Sequence, residues 1–136
     1  MKLIMGMMLA MGLSGCSWLD ETRVTGAGAV IEQHQPMGKQ VTRVLAGVPA
    51  NIHLVAGEAS GIHIKGQENL LRYLELTESG SKLEIEVKDG YRLDPTEPLD
   101  LTITLPELHE LALAGTGRGD LHGFKGDRLV LSVAGT

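Results

Sequence analysis

The sequence predicts an all-β domain wound as a solenoid with Gly-rich turns, and three observations carry that expectation. Apolar and polar residues alternate at period two through several short runs. Eighteen glycines, many at the boundaries between apolar runs, supply turns. A six-residue segment near the end of the chain recurs twenty positions later.

Ile52-His53-Leu54-Val55 and Ile62-His63-Ile64-Lys65 alternate, as do Leu83-Glu84-Ile85-Glu86-Val87-Lys88 and Leu99-Asp100-Leu101-Thr102-Ile103-Thr104-Leu105. In a strand, successive side chains point to opposite faces, so each run buries one face. The separators Ala56 to Gly61, Ser79-Gly80-Ser81, Asp89-Gly90 and Asp94-Pro95 are turn material. Asn69-Leu70-Leu71-Arg72-Tyr73 is the only stretch that reads as a helical turn. Leu111-Ala112-Leu113-Ala114-Gly115-Thr116 returns as Leu131-Ser132-Val133-Ala134-Gly135-Thr136. A period near twenty fits one coil of a solenoid, although a meander also repeats. Leu113 and Val133 are then expected on adjacent strands, about 4.8 Å apart. Thr136 falls inside the second copy, and an open coil needs a neighbour or a cap, so the domain is expected to be truncated at its C-terminus.

Residues 1–15 read as an export signal. Lys2 precedes a short apolar run from Leu3 to Leu13, too short to span a bilayer comfortably. Leu13-Ser14-Gly15-Cys16 is similar to the lipobox of bacterial lipoproteins. There the cysteine thiol accepts a diacylglyceryl group, and small residues before it admit the peptidase. Cys16 is therefore the expected lipidation site and the route to a membrane partner. Each buried methylene contributes about 0.8 kcal/mol, so two or three fatty-acyl chains anchor where one would not. Ser17 follows where an Asp favours inner-membrane retention in that class, which points to the outer membrane. The expected organisation is a signal at 1–15, a tether at 16–25 and the incomplete β domain at 26–136.

Composition narrows the function. The formal net charge is −5, and Lys2 is the only charge in the first fifteen residues, so the exported part is one unit more negative. An acidic domain has no phosphate-neutralising surface, and nucleic acid is not an expected partner. The single cysteine excludes an internal disulfide. Aromatic residues are Trp18, Tyr73, Tyr91 and Phe124 alone, so the core is aliphatic and no platform for stacking sugars is evident.

The motifs, taken in order, resemble a known family: the "putative auto-transporter adhesin, head GIN domain". Val24-Thr25-Gly26-Ala27-Gly28 is similar to its opening Gly motif. Val48 to Leu54 with Gly57-Glu58, Asn69-Leu70-Leu71 with Tyr73, and Leu83-Glu84-Ile85 resemble its succeeding segments. Leu101 to Leu105 with Pro106-Glu107-Leu108 follows, then the Gly-rich repeat from Leu111 to Gly117 with Gly119-Asp120-Leu121, restarting at Leu129. The resemblance covers residues 24–136. It implies a right-handed parallel β-helix-like fold, often carried by exported, lipid-anchored bacterial proteins, and it carries over no catalytic residues.

Candidate site residues have plain alternatives. Arg118-Gly119-Asp120 spells an integrin-type tripeptide and is a weak candidate binding site; the plainer reading is a turn. His53 and His63 occupy matching polar positions and would share a metal only if their strands paired, with no third ligand evident; two solvated histidines are the plainer reading, and no metal site is expected. His34 and His122 are scattered, and His109 is expected to point partly inward. Glu84, Glu86, Asp94 and Asp100 alternate with core positions, which reads as a solvated face and not as a glycosidase pair. There is no nucleophile elbow, HExxH, CxxC or phosphate loop. Gly115-Thr116-Gly117 lacks the strand–helix setting of a nucleotide site. The expected function is a lipid-anchored, non-catalytic binding or adhesion module in the cell envelope, without cofactor and with envelope or surface partners. The alternatives are a structural envelope protein and, less so, a carbohydrate-active enzyme.

Overall fold

The computed structural model describes residues 21–114, 118–124 and 130–134. The strands are β1 (Thr22–Thr25), β2 (Val30–Pro36), β3 (Arg43–Gly47), β4 (Asn51–Ala56), β5 (Gly61–Gln67), β6 (Leu74–Ser79), β7 (Lys82–Val87), β8 (Tyr91–Asp94), β9 (Asp100–Leu105), β10 (Glu110–Ala114), β11 (Arg118–His122) and β12 (Val130–Ala134). One four-residue helix, α1 (Glu68–Leu71), lies where the sequence allows a helical turn.

Two five-stranded sheets carry the fold, in the orders β12-β10-β3-β7-β6 and β11-β4-β9-β5-β2, and β1 pairs with β8 beside them. The twenty-residue repeat is realised as a register. β10 and β12 run parallel with Leu111 opposite Leu131 and Leu113 opposite Val133.

The expected right-handed parallel β-helix is not the architecture. Such a helix needs every strand to run the same way and to lie on the strand of the preceding coil. Here β6 is antiparallel to β7, and β5 is antiparallel to both β9 and β2. β9 enters between β4 and β5, parallel to the first and antiparallel to the second. The second neighbour of β10 is β3, far back in the chain. The fold is all-β with mixed sheets. Period two reports which face is buried; it carries no information on direction or neighbour. The reversal at β6–β7 is local. Gly80 sits at φ 61° in the two-residue turn between paired Ser79 and Lys82, a conformation glycine adopts without strain.

Alternation does build the core. Ile52 and Leu54, Ile62 and Ile64, Leu83 and Ile85, and Leu101, Ile103 and Leu105 all point inward and join a single cluster with Val44, Leu70 and Leu111. This one aliphatic interior is shared by both large sheets. Gln67, the buried polar side chain among these residues, bonds through both its amide oxygen and its amide nitrogen. Its Oε1 accepts from the Thr96 and Glu97 N–H groups at 3.1 and 3.2 Å, and its Nε2 donates to Thr96 Oγ1 at 2.9 Å. Asn69 clasps the incoming chain, accepting from Ala27 N–H and donating to the Thr25 carbonyl, both at 2.9 Å.

Candidate binding face

The same alternation that sends Ile52, Leu101 and Ile64 inward sends a polar set outward on the sheet β11-β4-β9-β5-β2. Cross-strand partners share a face. The register therefore assembles rows five strands wide. One row is Asp120, His53, Thr102, His63 and His34. The neighbouring row is Arg118, Asn51, Asp100, Lys65 and Glu32. Four of the five histidines thus lie on one surface, His122 standing beside Asp120.

His53 is the centre of the more tightly bonded half. Its Nδ1 lies 2.8 Å from Asp120 Oδ2, and its Nε2 lies 3.3 Å from Asp100 Oδ1. Asn51 Nδ2 donates to the same Asp100 oxygen at 2.9 Å. Carboxylate oxygens only accept, so both ring nitrogens donate when His53 is the imidazolium. Partial burial opposes that charge. Hydrogen bonds to Asp100 and Asp120, with the negative charge of each, outweigh it, and the His53 pKa is raised above its ordinary value. Asp120 also meets His122 Nε2 at 3.0 Å. On the other half, His63 Nε2 lies 2.7 Å from Glu32 Oε1, and its ring stacks on His34 at 4.5 Å. A shallow depression over Gln35, Pro36, Ala59 and Thr104 borders that stack.

Several sequence expectations are corrected here. Arg118-Gly119-Asp120 is not a turn. It is extended strand, paired with β4 along its length, and Gly119 has no positive φ. A Cβ at Gly119 would meet the Leu113 side chain, so the glycine answers to close packing. The strands of His53 and His63 do not pair, because β9 separates them and Thr102 stands between the rings; they cannot share a metal. Among the described residues no three His, Cys, Asp or Glu side chains converge as a metal site. His109 is exposed, pointing outward with Glu107 Oε2 3.5 Å away. The carboxylates do not meet across a cleft. Glu84 is held by Lys82 at 2.7 Å, Asp94 by Arg23 at 3.1 Å, and Asp100 by Asn51 and His53. Cys16 and Gly115-Thr116-Gly117 lie outside the described residues.

Sequence reasoning missed the contacts themselves. Glu32, the partner of His63, and Asp120, the partner of His53, belong to strands remote in the chain, and no spacing points to them. It also missed an aromatic pair. Tyr73 and Tyr91 come to 4.6 Å with rings tilted by 42°, beside a groove lined by Val48, Pro49, Lys88 and Arg92. They are joined through the main chain, since Lys88 N–H donates to the Tyr73 carbonyl and Tyr91 N–H to the Lys88 carbonyl.

A mixed-sheet all-β module with one wide, hydrogen-bonded polar face is the class this geometry defines. The chain belongs to the family described as "Putative auto-transporter adhesin, head GIN domain", which matches residues 42–136. Solved structures share the fold. One, titled a putative adhesin from Bacteroides fragilis, is 18% identical with a TM-score of 0.68, covering 82% of this chain and 53% of that one. Another putative adhesin, from Parabacteroides merdae, is 17% identical with a TM-score of 0.69, covering 82% and 47%. A structure titled a putative lipid binding protein from Parabacteroides distasonis is 22% identical with a TM-score of 0.67, covering 74% and 44%. The chain spans about half the length of these solved structures. No curated protein matches it.

Proposed function

We propose that the protein is a lipid-anchored cell-envelope protein, held in the outer membrane through Cys16, that displays a non-catalytic binding or adhesion module. The observation that carries the module reading is the outward face of β11-β4-β9-β5-β2. Its polar side chains are spread over five strands and tied to one another, an arrangement suited to many modest contacts over a wide area. An acid–base catalyst needs the opposite: a carboxyl group held in a cleft with its protonation tuned by burial. The names carried by the family and by its structural neighbours support adhesion, and the Leu13 to Cys16 motif supports the anchor.

The full chain expressed in a bacterium tests both halves. It should incorporate labelled palmitate and partition into detergent, and Cys16→Ala should abolish both. A soluble, unlabelled native protein would defeat the anchor. Displayed on cells, the protein should promote attachment to envelope or surface partners and release no sugar from polysaccharides. Sugar release lost on a single carboxylate substitution would replace this reading with an enzyme.

A further inference from the structure

We infer that His53 is a proton-dependent latch that fastens β11 to the sheet by bridging Asp120 of β11 and Asp100 of β9. Among the described residues β11 pairs with β4, and Gly119 gives β11 no side chain to pack on its inward face. Leu121 is its partly buried inward anchor. On the outward face His53 stands on the central strand of three, with one carboxylate on either side at 2.8 and 3.3 Å. Thr102 of β9 is its remaining cross-strand neighbour, and Asn51 of β4 holds Asp100 in place from the preceding outward position. Arg118 and His122 are the other charged or titratable side chains of β11. The His122–Asp120 contact lies within β11 and cannot tie it to β4.

The imidazolium satisfies both carboxylates. A neutral ring has one N–H, so one of the two contacts becomes a lone pair facing an anion, and Asp100 and Asp120 lose the positive charge between them. A group whose pKa is raised by folding adds stability that is complete below its unfolded pKa. That stability is lost as pH rises through the folded value. The latch therefore closes on the acidic side and opens on the alkaline side of the histidine range. Opening loosens β11 first, because β4 and β9 keep their ladder and the inward Ile52, Leu54, Leu101 and Ile103. It also frees the Asp120 carboxylate of the Arg118-Gly119-Asp120 segment from His53.

Amide hydrogen exchange of the full chain, corrected for intrinsic rates, tests this at about pH 5.5 and about pH 8.5, on either side of the ordinary histidine range. Protection of the Asp120 and His122 amides, which point toward β4 in the parallel ladder, should fall several-fold at the higher pH, while protection of β9 holds. Nitrogen-15 spectra should show both His53 nitrogens protonated at the lower pH. His53→Gln should lose the pH dependence of β11. Asp120→Asn leaves the core untouched and gives a second test should His53→Gln fail to fold; it too should lose that dependence. Equal β11 protection at both pH values in the native protein would overturn the latch. So would a pH dependence that survives in either variant.

Discussion

Each large sheet is divided by a seam strand, and the two sides of the seam are built differently. β7 has parallel β3, β10 and β12 on one side and antiparallel β6 on the other. β9 has parallel β4 and β11 on one side, then β5 antiparallel to it and β2 antiparallel to β5. The parallel sides bring together residues remote in the chain, so that His53 meets Asp100 and Asp120. Of the antiparallel pairs, β6–β7 is closed locally by the two-residue turn Gly80-Ser81, whereas β5 meets β9 and β2 from elsewhere in the chain and is held at its end by the buried Gln67 amide. One side thus depends on packing and on side chains laced across strands. The other depends on turn geometry and a buried amide. Distant pairing closes long loops before it gains contacts, whereas a two-residue turn closes almost none.

The largest effect should come from breaking a seam. Leu101 is fully buried in β9, between the parallel and antiparallel halves. Leu101→Ala should cost about 2–5 kcal/mol, the range for a buried leucine replaced by a cavity. Because β9 belongs to both sides, a urea melt followed by circular dichroism should keep a single transition at lower midpoint. Two separated transitions would mean that the seam does not couple the halves, and the comparison would become one between independent units.

Gln67 sharpens the antiparallel side. From a nearly inaccessible position it bonds to the Thr96 hydroxyl and to the Thr96 and Glu97 N–H groups. Gln67→Leu keeps the apolar bulk and leaves two backbone N–H groups without their acceptor, at about 1–3 kcal/mol. Denaturant midpoints measure it. A neutral result would show that water reaches Thr96 and that the amide is dispensable.

Much of this architecture was legible in the residues, and the unread part has a common cause. Leu99 to Leu105 and Leu83 to Lys88 announced β9 and β7 because one face of each meets the core and the other meets water. The Leu111/Leu131 repeat announced a register that is realised. β2, with Glu32, Gln33, His34 and Gln35 in its middle, was not legible, since an edge strand with little buried surface has no apolar phase to show. Strand direction was not legible either, and extrapolating the repeat to the whole domain produced the solenoid that the antiparallel pairs exclude. Of the candidate site, the outward placement of His53 and His63 could be read. Their partners Asp120 and Glu32 could not, because face is a local property of a strand and neighbour is not. The Arg118-Gly119-Asp120 tripeptide reads as a turn because glycine favours turns, yet a glycine equally marks close packing between strands, as Gly119 does against Leu113.

Two glycines give the smallest effects and the sharpest contrast between the sides. Gly80 holds φ 61° with nothing near its missing Cβ, so Gly80→Ala should cost about 1–2 kcal/mol through backbone strain alone, whatever its surroundings. Gly119 is the reverse. Its φ is negative or extended, and an added Cβ would sit 2.6 Å from Leu113 Cδ1 and 3.8 Å from the Ile52 carbonyl oxygen. The first obstacle is the free end of a leucine, which can rotate away, so Gly119→Ala should cost about 1 kcal/mol, the low end for overpacking. Shortening the obstacle separates the two causes. In a Leu113→Val background the cost of Gly119→Ala should shrink toward zero, a coupling that a double-mutant cycle on chemical denaturation reads directly. The same leucine change should leave the cost of Gly80→Ala untouched, since that site belongs to another strand pair. If Gly119→Ala costs the same with Leu113 or Val at the facing position, its penalty is conformational. The parallel side would then rest on glycine backbone freedom as the antiparallel side does, and the distinction between laced packing and turn geometry would fail at its most direct test.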